Sequence, residues 1–199
     1  GNLSMEYGPD FQFFDSTDLA VSADIIENLY MQEVRKFGVD GVAFLTPFRH
    51  KTETSVDAMN ARLQALVNPP APGKAEAVFG QLRFRVGDKV MQIKNYEQVN
   101  NGDVGYIVRM DPAEHLLTVC FDDERFVTYQ KQQLDSLELA YCLTVHKSQG
   151  SEYPIVVIPL GSAAEMLLSR NLFYTAVTRA QNMVILVGRE DKVRAMVEN

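Results

Sequence analysis

The chain has 199 residues, 46% of them hydrophobic, which suffices for one sizeable core or two small ones and excludes a disordered polymer. No apolar run reaches membrane-spanning length and no signal-peptide pattern is present, so no membrane partner and a cytoplasmic location are expected. The net charge of −7 argues against a uniformly basic nucleic-acid-binding domain, but the acids are bunched: Glu6, Asp10, Asp15, Asp18, Asp24, Glu27, Glu33 and Asp40 face only Arg35 and Lys36 in the first forty residues. In chain order, Phe11–Phe14 reads as a short strand. Ser16 or Thr17 can cap a helix running to about Lys36, with Leu19, Ala23, Ile26, Leu29, Tyr30, Val34 and Phe37 on its apolar side and Gly38 closing it. Val42–Leu45 is a continuous apolar run, as expected of a parallel strand buried on both faces. A second helix is expected from about Thr54 to Leu66, stopped by Asn68-Pro69-Pro70.

From Glu76 to Leu137 the pattern changes to short alternating strands separated by turns. Lys89–Lys94, Gly105–Met110, Leu116–Phe121 and Arg125–Gln130 are the strands, and Asn101-Gly102-Asp103 is one of the turns. Four or five strands in so short a span predict a small closed barrel, with Tyr96, Tyr106, Phe121 and Tyr129 in its core. Beyond it the α/β alternation resumes. Ile155–Pro159 is a buried strand, Ser162–Arg170 and Leu172–Thr178 are helical, Met183–Val187 is a strand and Asp191–Glu198 a short helix. The expected architecture is therefore an α/β parallel sheet, made by residues 1–75 and 138–199, interrupted by a barrel at 76–137. Cys120 and Cys142 lie in apolar stretches without metal-ligand spacing and are expected to be reduced and buried.

Two segments carry chemistry. Thr144-Val145-His146-Lys147-Ser148-Gln149-Gly150-Ser151-Glu152 brings a hydroxyl, an imidazole, an ammonium and a carboxylate onto one short stretch, suited to phosphates on one side and a sugar on the other. Tyr174-Thr175-Ala176-Val177-Thr178-Arg179-Ala180 sets one arginine among small and apolar residues. By spacing alone Arg179 is either a phosphate ligand or a surface residue complementing a helix dipole. His146 has no cysteine or second histidine near it, so no metal site is expected.

Together these segments resemble motifs V and VI of superfamily 1 helicases. Phe44-Leu45-Thr46-Pro47-Phe48-Arg49-His50 resembles motif IV. Asn60–Pro69, Val86–Asn95 and Asn101–Gly105 are similar to segments of the RecD/TraA branch. The resemblance implies a RecA-like fold with an inserted SH3-like barrel, and the C-terminal half of an ATP-dependent 5′-to-3′ DNA helicase. In that reading Arg179 reaches the γ-phosphate of ATP, with Arg49, Gly150 and Glu152 also at the nucleotide. Thr144, His146, Lys147 and Ser148 contact single-stranded DNA. For Arg49 the register against His50 and Lys51 is open, and a solvated basic loop is the competing reading. Phe48 is a base-stacking candidate.

The sequence contains no Gly-x-x-x-x-Gly-Lys-Ser/Thr loop. ATP and Mg²⁺ are therefore expected to be held mainly by a preceding RecA-like domain of a longer parent. This chain alone is expected neither to hydrolyse ATP nor to unwind DNA. A non-catalytic docking module on a RecA-like remnant is the alternative. Whether the parent is a repair helicase, an exonuclease-complex subunit or a conjugative relaxase stays open.

Overall fold

The computed structural model describes residues 10–15, 19–46, 55–148, 152–159 and 170–188. In chain order these form β1 (Asp10–Asp15), α1 (Leu19–Phe37), β2 (Val42–Thr46), α2 (Val56–Val67), β3 (Glu76–Phe79), β4 (Leu82–Arg85), β5 (Lys89–Gln92) and β6 (Val104–Asp111). There follow β7 (Leu116–Phe121), β8 (Arg125–Gln130), β9 (Leu137–Leu139), β10 (Cys142–Thr144), β11 (Tyr153–Pro159), α3 (Arg170–Val177) and β12 (Ala180–Gly188). The chain divides into two compact units, residues 1–62 with 142–199, and residues 63–141.

The first unit is built on five strands in the order β1-β12-β11-β2-β10, every neighbouring pair parallel. All five residues of β2 are buried, as a parallel strand covered on both faces requires. Helix α1 contributes Ala23, Ile26 and Tyr30, each fully buried, and ends at Gly38, whose φ of 75° suits a residue without a Cβ and whose N–H donates to Val34 O at 2.8 Å. Its last turn departs from the expected apolar side. Glu33 is buried and Phe37 is 49% exposed. Both continue the stripe of Ile26 and Tyr30 by two helical turns, and there Phe37 lines a cavity of about 340 Å³ with Leu29, Glu33, Ile155 and Met183 instead of entering the core. Ser16, Thr17, Thr54, all but Arg170 of the helix expected over 162–170, and the helix expected over 191–198 lie outside the described residues.

The second unit holds a five-stranded antiparallel sheet, β8-β7-β6-β5-β9, and a separate β3-β4 hairpin. Val90, Ile107 and Val119 belong to this sheet and not to the parallel one, and with Phe84, Phe121 and Tyr129 they make its buried core. Tyr96 and Tyr106 are only half-buried. The expected closed barrel is not seen. Among the described residues no ladder joins β8 to β9, and the two strands that could bridge the gap pair only with each other. A bulge between Ile107 and Arg109 bends β6, leaving Val108 44% exposed.

The unit is pinned at one carboxylate. Asp88 is fully buried and accepts four hydrogen bonds: from Gln64 Nε2 at 2.6 Å, the Arg85 N–H at 2.6 Å, Asn68 Nδ2 at 2.8 Å and the Tyr141 hydroxyl at 2.8 Å. Four donors satisfy a buried carboxylate about as fully as its lone pairs allow. Gly87, at φ 96°, makes the turn that delivers it, and a Cβ there would meet the Asn68 carboxamide at 3.1 Å. Asn68 therefore does more than end a helix. It also donates to Val86 O and accepts from Lys74 Nζ at 2.7 Å. These bonds explain why the unit starts inside α2, before the composition change at Glu76, and ends at Tyr141.

In the hairpin, Glu76 accepts from Arg85 Nε at 2.6 Å and from Arg83 Nη1 at 2.8 Å. The bond to Arg85, then that to Arg83, holds its carboxyl below the ordinary range. A carboxylate depressed in the folded state stabilises above its unfolded pKa, and that stabilisation disappears as pH falls through the folded value. Glu76→Gln is therefore expected to lower Tm modestly at neutral pH, and the two melting curves should converge on acidification. A gap that stays constant down to pH 3 would show that the arginine pair contributes nothing charge-dependent.

Candidate functional site

Thr144 ends β10, a strand of three residues at the edge of the parallel sheet. The chain then folds into a 3-10 turn over His146–Ser148. Val145 is buried, and its N–H donates to Thr46 O at 3.2 Å, anchoring the start of the turn to β2. Thr144 Oγ1 accepts the Lys147 N–H at 3.2 Å. At three residues per turn, successive side chains point about 120° apart, so three in a row cannot all face outward. His146 is exposed, Lys147 half-buried and Ser148 fully buried. The Ser148 hydroxyl donates inward to Val145 O at 2.6 Å. Of the four residues expected at this turn, His146 is exposed and Thr144 and Lys147 are half-buried, while Ser148 braces the turn from within.

Arg179 lies in the short connection between α3 and β12. Its N–H donates to Ala176 O at 3.1 Å, and its carbonyl accepts the Tyr153 N–H at 2.8 Å, which ties the turn to the start of β11. The side chain is half-buried. Nη2 donates to Thr178 Oγ1 at 3.2 Å, and Thr178 Oγ1 in turn donates to Thr175 O at 2.8 Å. Nε is buried and has no hydrogen-bond partner among the described residues. A buried donor left unmade costs about 1–3 kcal/mol, and more when it is charged, so this nitrogen calls for an acceptor. Glu152 is exposed immediately before β11 and accepts from Gln181 Nε2 at 3.2 Å.

The strand registers set these groups apart. Thr144 is level with Thr46 on β2, whereas Ile155, two residues into β11, is level with Val42. Thr144, His146 and Lys147 thus sit at the carboxyl ends of the strands, and Glu152 and Arg179 at the amino ends. The two groups are about six residues apart along the strand direction, roughly 20 Å at 3.3 Å per residue. Arg49, Phe48 and Gly150 lie outside the described residues.

In the sequence Asn60 stands out only as the head of the Asn60–Pro69 segment. It is buried in α2, donates from Nδ2 to Cys142 O at 3.0 Å and accepts the Cys142 N–H at Oδ1 at 2.7 Å. A polar residue between the apolar Met59 and Leu63 on the inner face of α2 is the signal that could have found it. Cys142 itself is buried, and burial pushes its thiol well above the usual range. Cys120 is half-buried.

Residues 139–187 match the UvrD-like helicase C-terminal domain, and residues 59–121 the ATP-dependent RecD-like DNA helicase SH3 domain. The chain is 40% identical over 158 residues to the ATP-dependent RecD2 DNA helicase of Deinococcus radiodurans, a match covering 78% of this chain and 21% of that protein. It is 42% identical over 98 residues to the RecBCD enzyme subunit RecD of Mycolicibacterium smegmatis, covering 49% and 17%. It is 33% identical over 103 residues to the conjugal transfer protein TraA of Agrobacterium fabrum, covering 50% and 9%. The chain thus spans about a fifth or less of the length of these relatives. Among solved structures it resembles that of two coordinating Pif1 helicases at forked double-stranded DNA. The TM-score is 0.51 at 16% identity, over 86% of this chain and 47% of that one, a likeness of fold.

Proposed function

This chain belongs to the RecD/TraA family of superfamily 1 DNA helicases, matching their C-terminal part, and from that we propose that it serves as the second RecA-like motor domain of an ATP-driven 5′-to-3′ translocase. The observation that carries the reading is the buried, unpartnered Nε of Arg179 at the end of the sheet that also holds Glu152. The guanidinium suits an anionic oxygen there, because the half-buried side chain can present a planar fork of donors to a phosphate, and among the described residues Nε finds no acceptor.

In this proposal ATP lies between two RecA-like domains, with Mg²⁺ and most of the phosphate contacts on the other domain. Arg179 meets the γ-phosphate and stabilises charge that develops during transfer. Glu152 accepts from the ribose, and Arg49 and Gly150 are assigned to the same side. Thr144, His146 and Lys147 hold the phosphates of single-stranded DNA at the other end of the sheet, with Ser148 shaping their turn. The inserted unit is assigned to the family's SH3-like module.

The test acts on the nucleic-acid side. In the full-length protein, His146→Ala with Lys147→Ala should weaken binding of a labelled oligothymidylate about tenfold or more and flatten its salt dependence by one or two phosphate contacts. Basal ATPase should persist while its DNA-stimulated part falls. Unchanged affinity and salt slope would remove the turn from the DNA path.

A further inference from the structure

We infer that Asn60 is a positioning residue for the Thr144–Lys147 turn, an inference that rests on reading this turn as the DNA contact. The turn hangs from β10, which has three residues and, among the described residues, one strand neighbour, β2. In a parallel ladder the N–H and C=O of one residue point to the same side, and alternate residues point to opposite sides. Cys142 turns both of its groups away from β2, toward the open edge of the sheet. The Asn60 carboxamide takes both of them, at 2.7 and 3.0 Å, in the manner of a missing neighbouring strand. The clamp lies two residues before Thr144, whose Oγ1 receives the Lys147 N–H.

Without the clamp, β10 would keep only its bonds to β2, and two buried main-chain groups would lose their partners. The direction in which Thr144 leaves the sheet, and with it the placement of His146 and Lys147, would no longer be set from both sides. The carboxamide is suited to this task because it donates and accepts side by side, matching one residue of an adjacent strand. The side chain of Gln64, one helical turn further along α2, donates to Arg83 O and Asp88 within the other unit and serves as the internal comparison.

The experiment uses the full-length protein and labelled oligothymidylate titrated across a salt series. Asn60→Leu should weaken binding about tenfold and flatten the logarithmic salt slope by about 0.7, the value of one single-strand phosphate contact. Asn60→Asp keeps the acceptor for the Cys142 N–H and should lose less, which keeps the inference testable if the leucine variant does not fold. Asn60→Leu combined with Lys147→Ala should bind no more than twofold worse than Lys147→Ala alone, because both remove the same contact. Gln64→Leu should lower Tm and leave the salt slope intact. If Lys147→Ala weakens binding but neither Asn60 variant does, or if Gln64→Leu flattens the slope equally, Asn60 is not positioning the turn. If Lys147→Ala itself leaves affinity unchanged, the DNA reading fails and the inference falls with it.

Discussion

Arg179→Ala in the full-length protein is expected to lower the rate of ATP hydrolysis on the order of a thousandfold or more, while single-stranded DNA affinity stays within about twofold of wild type. The basis is the separation of the two groups along the sheet. Arg179, with its unpartnered buried Nε, is at the amino ends of β11 and β12, and the Thr144–Lys147 turn is at the carboxyl end of β10. Arg179→Lys should rescue little, since an ammonium can neither use the Nε position nor present a planar fork. Single-turnover hydrolysis and oligonucleotide anisotropy, measured on one preparation, would check both halves. A variant that lost DNA affinity and kept its ATPase would reverse the assigned roles.

The largest effect on stability is expected at Asp88, away from either group. Asp88→Ala strands four donors, those of Gln64, Asn68, Arg85 and Tyr141, in a site where the carboxylate is fully buried. With about 1–3 kcal/mol for each buried donor left unmade, and some recovered by relaxation, a loss of about 3 kcal/mol or more is expected. Asp88→Asn keeps the shape but turns one acceptor into a donor facing donors, and should recover little. Chemical denaturation followed at the tyrosines would measure both. A loss below 1 kcal/mol for the alanine variant would mean that water replaces the carboxylate and that the network is not a pin.

What could be read from the sequence was what repeats along it. The apolar run of β2, the alternation of β8 and the stripe of α1 are local patterns, and such patterns follow from burial. The misses are cases where one residue's setting depended on a distant partner. Phe37 continues the α1 stripe in sequence but reaches a cavity in the fold, and Glu33 takes the buried position. Asn68 stands where a helix-stopping residue is expected, and its bond to Asp88 spans twenty residues. The short strands β3, β4, β9 and β10 have three or four residues each, too few to show a period. Barrel closure depends on which edges pair, and strand composition does not encode that. At the site, the grouping of Thr144, His146 and Lys147 was legible because they are adjacent. The inward turn of Ser148 and the clamp from Asn60 were not, because both are matters of direction.

The same carboxylate that receives Gln64 near the start of the second unit also receives Tyr141 at its end. The two ends of a long intervening segment are thereby fastened side by side within that unit. For a flexible chain, the entropy lost on bringing two points together grows with the logarithm of the length between them. Pairing β10 with β2 would otherwise have to close the whole segment at once. With the Asp88 bonds formed, the effective loop shrinks from the whole segment to about eighteen residues between Thr46 and Gln64, and the parallel sheet gains its last strand at a lower entropic cost.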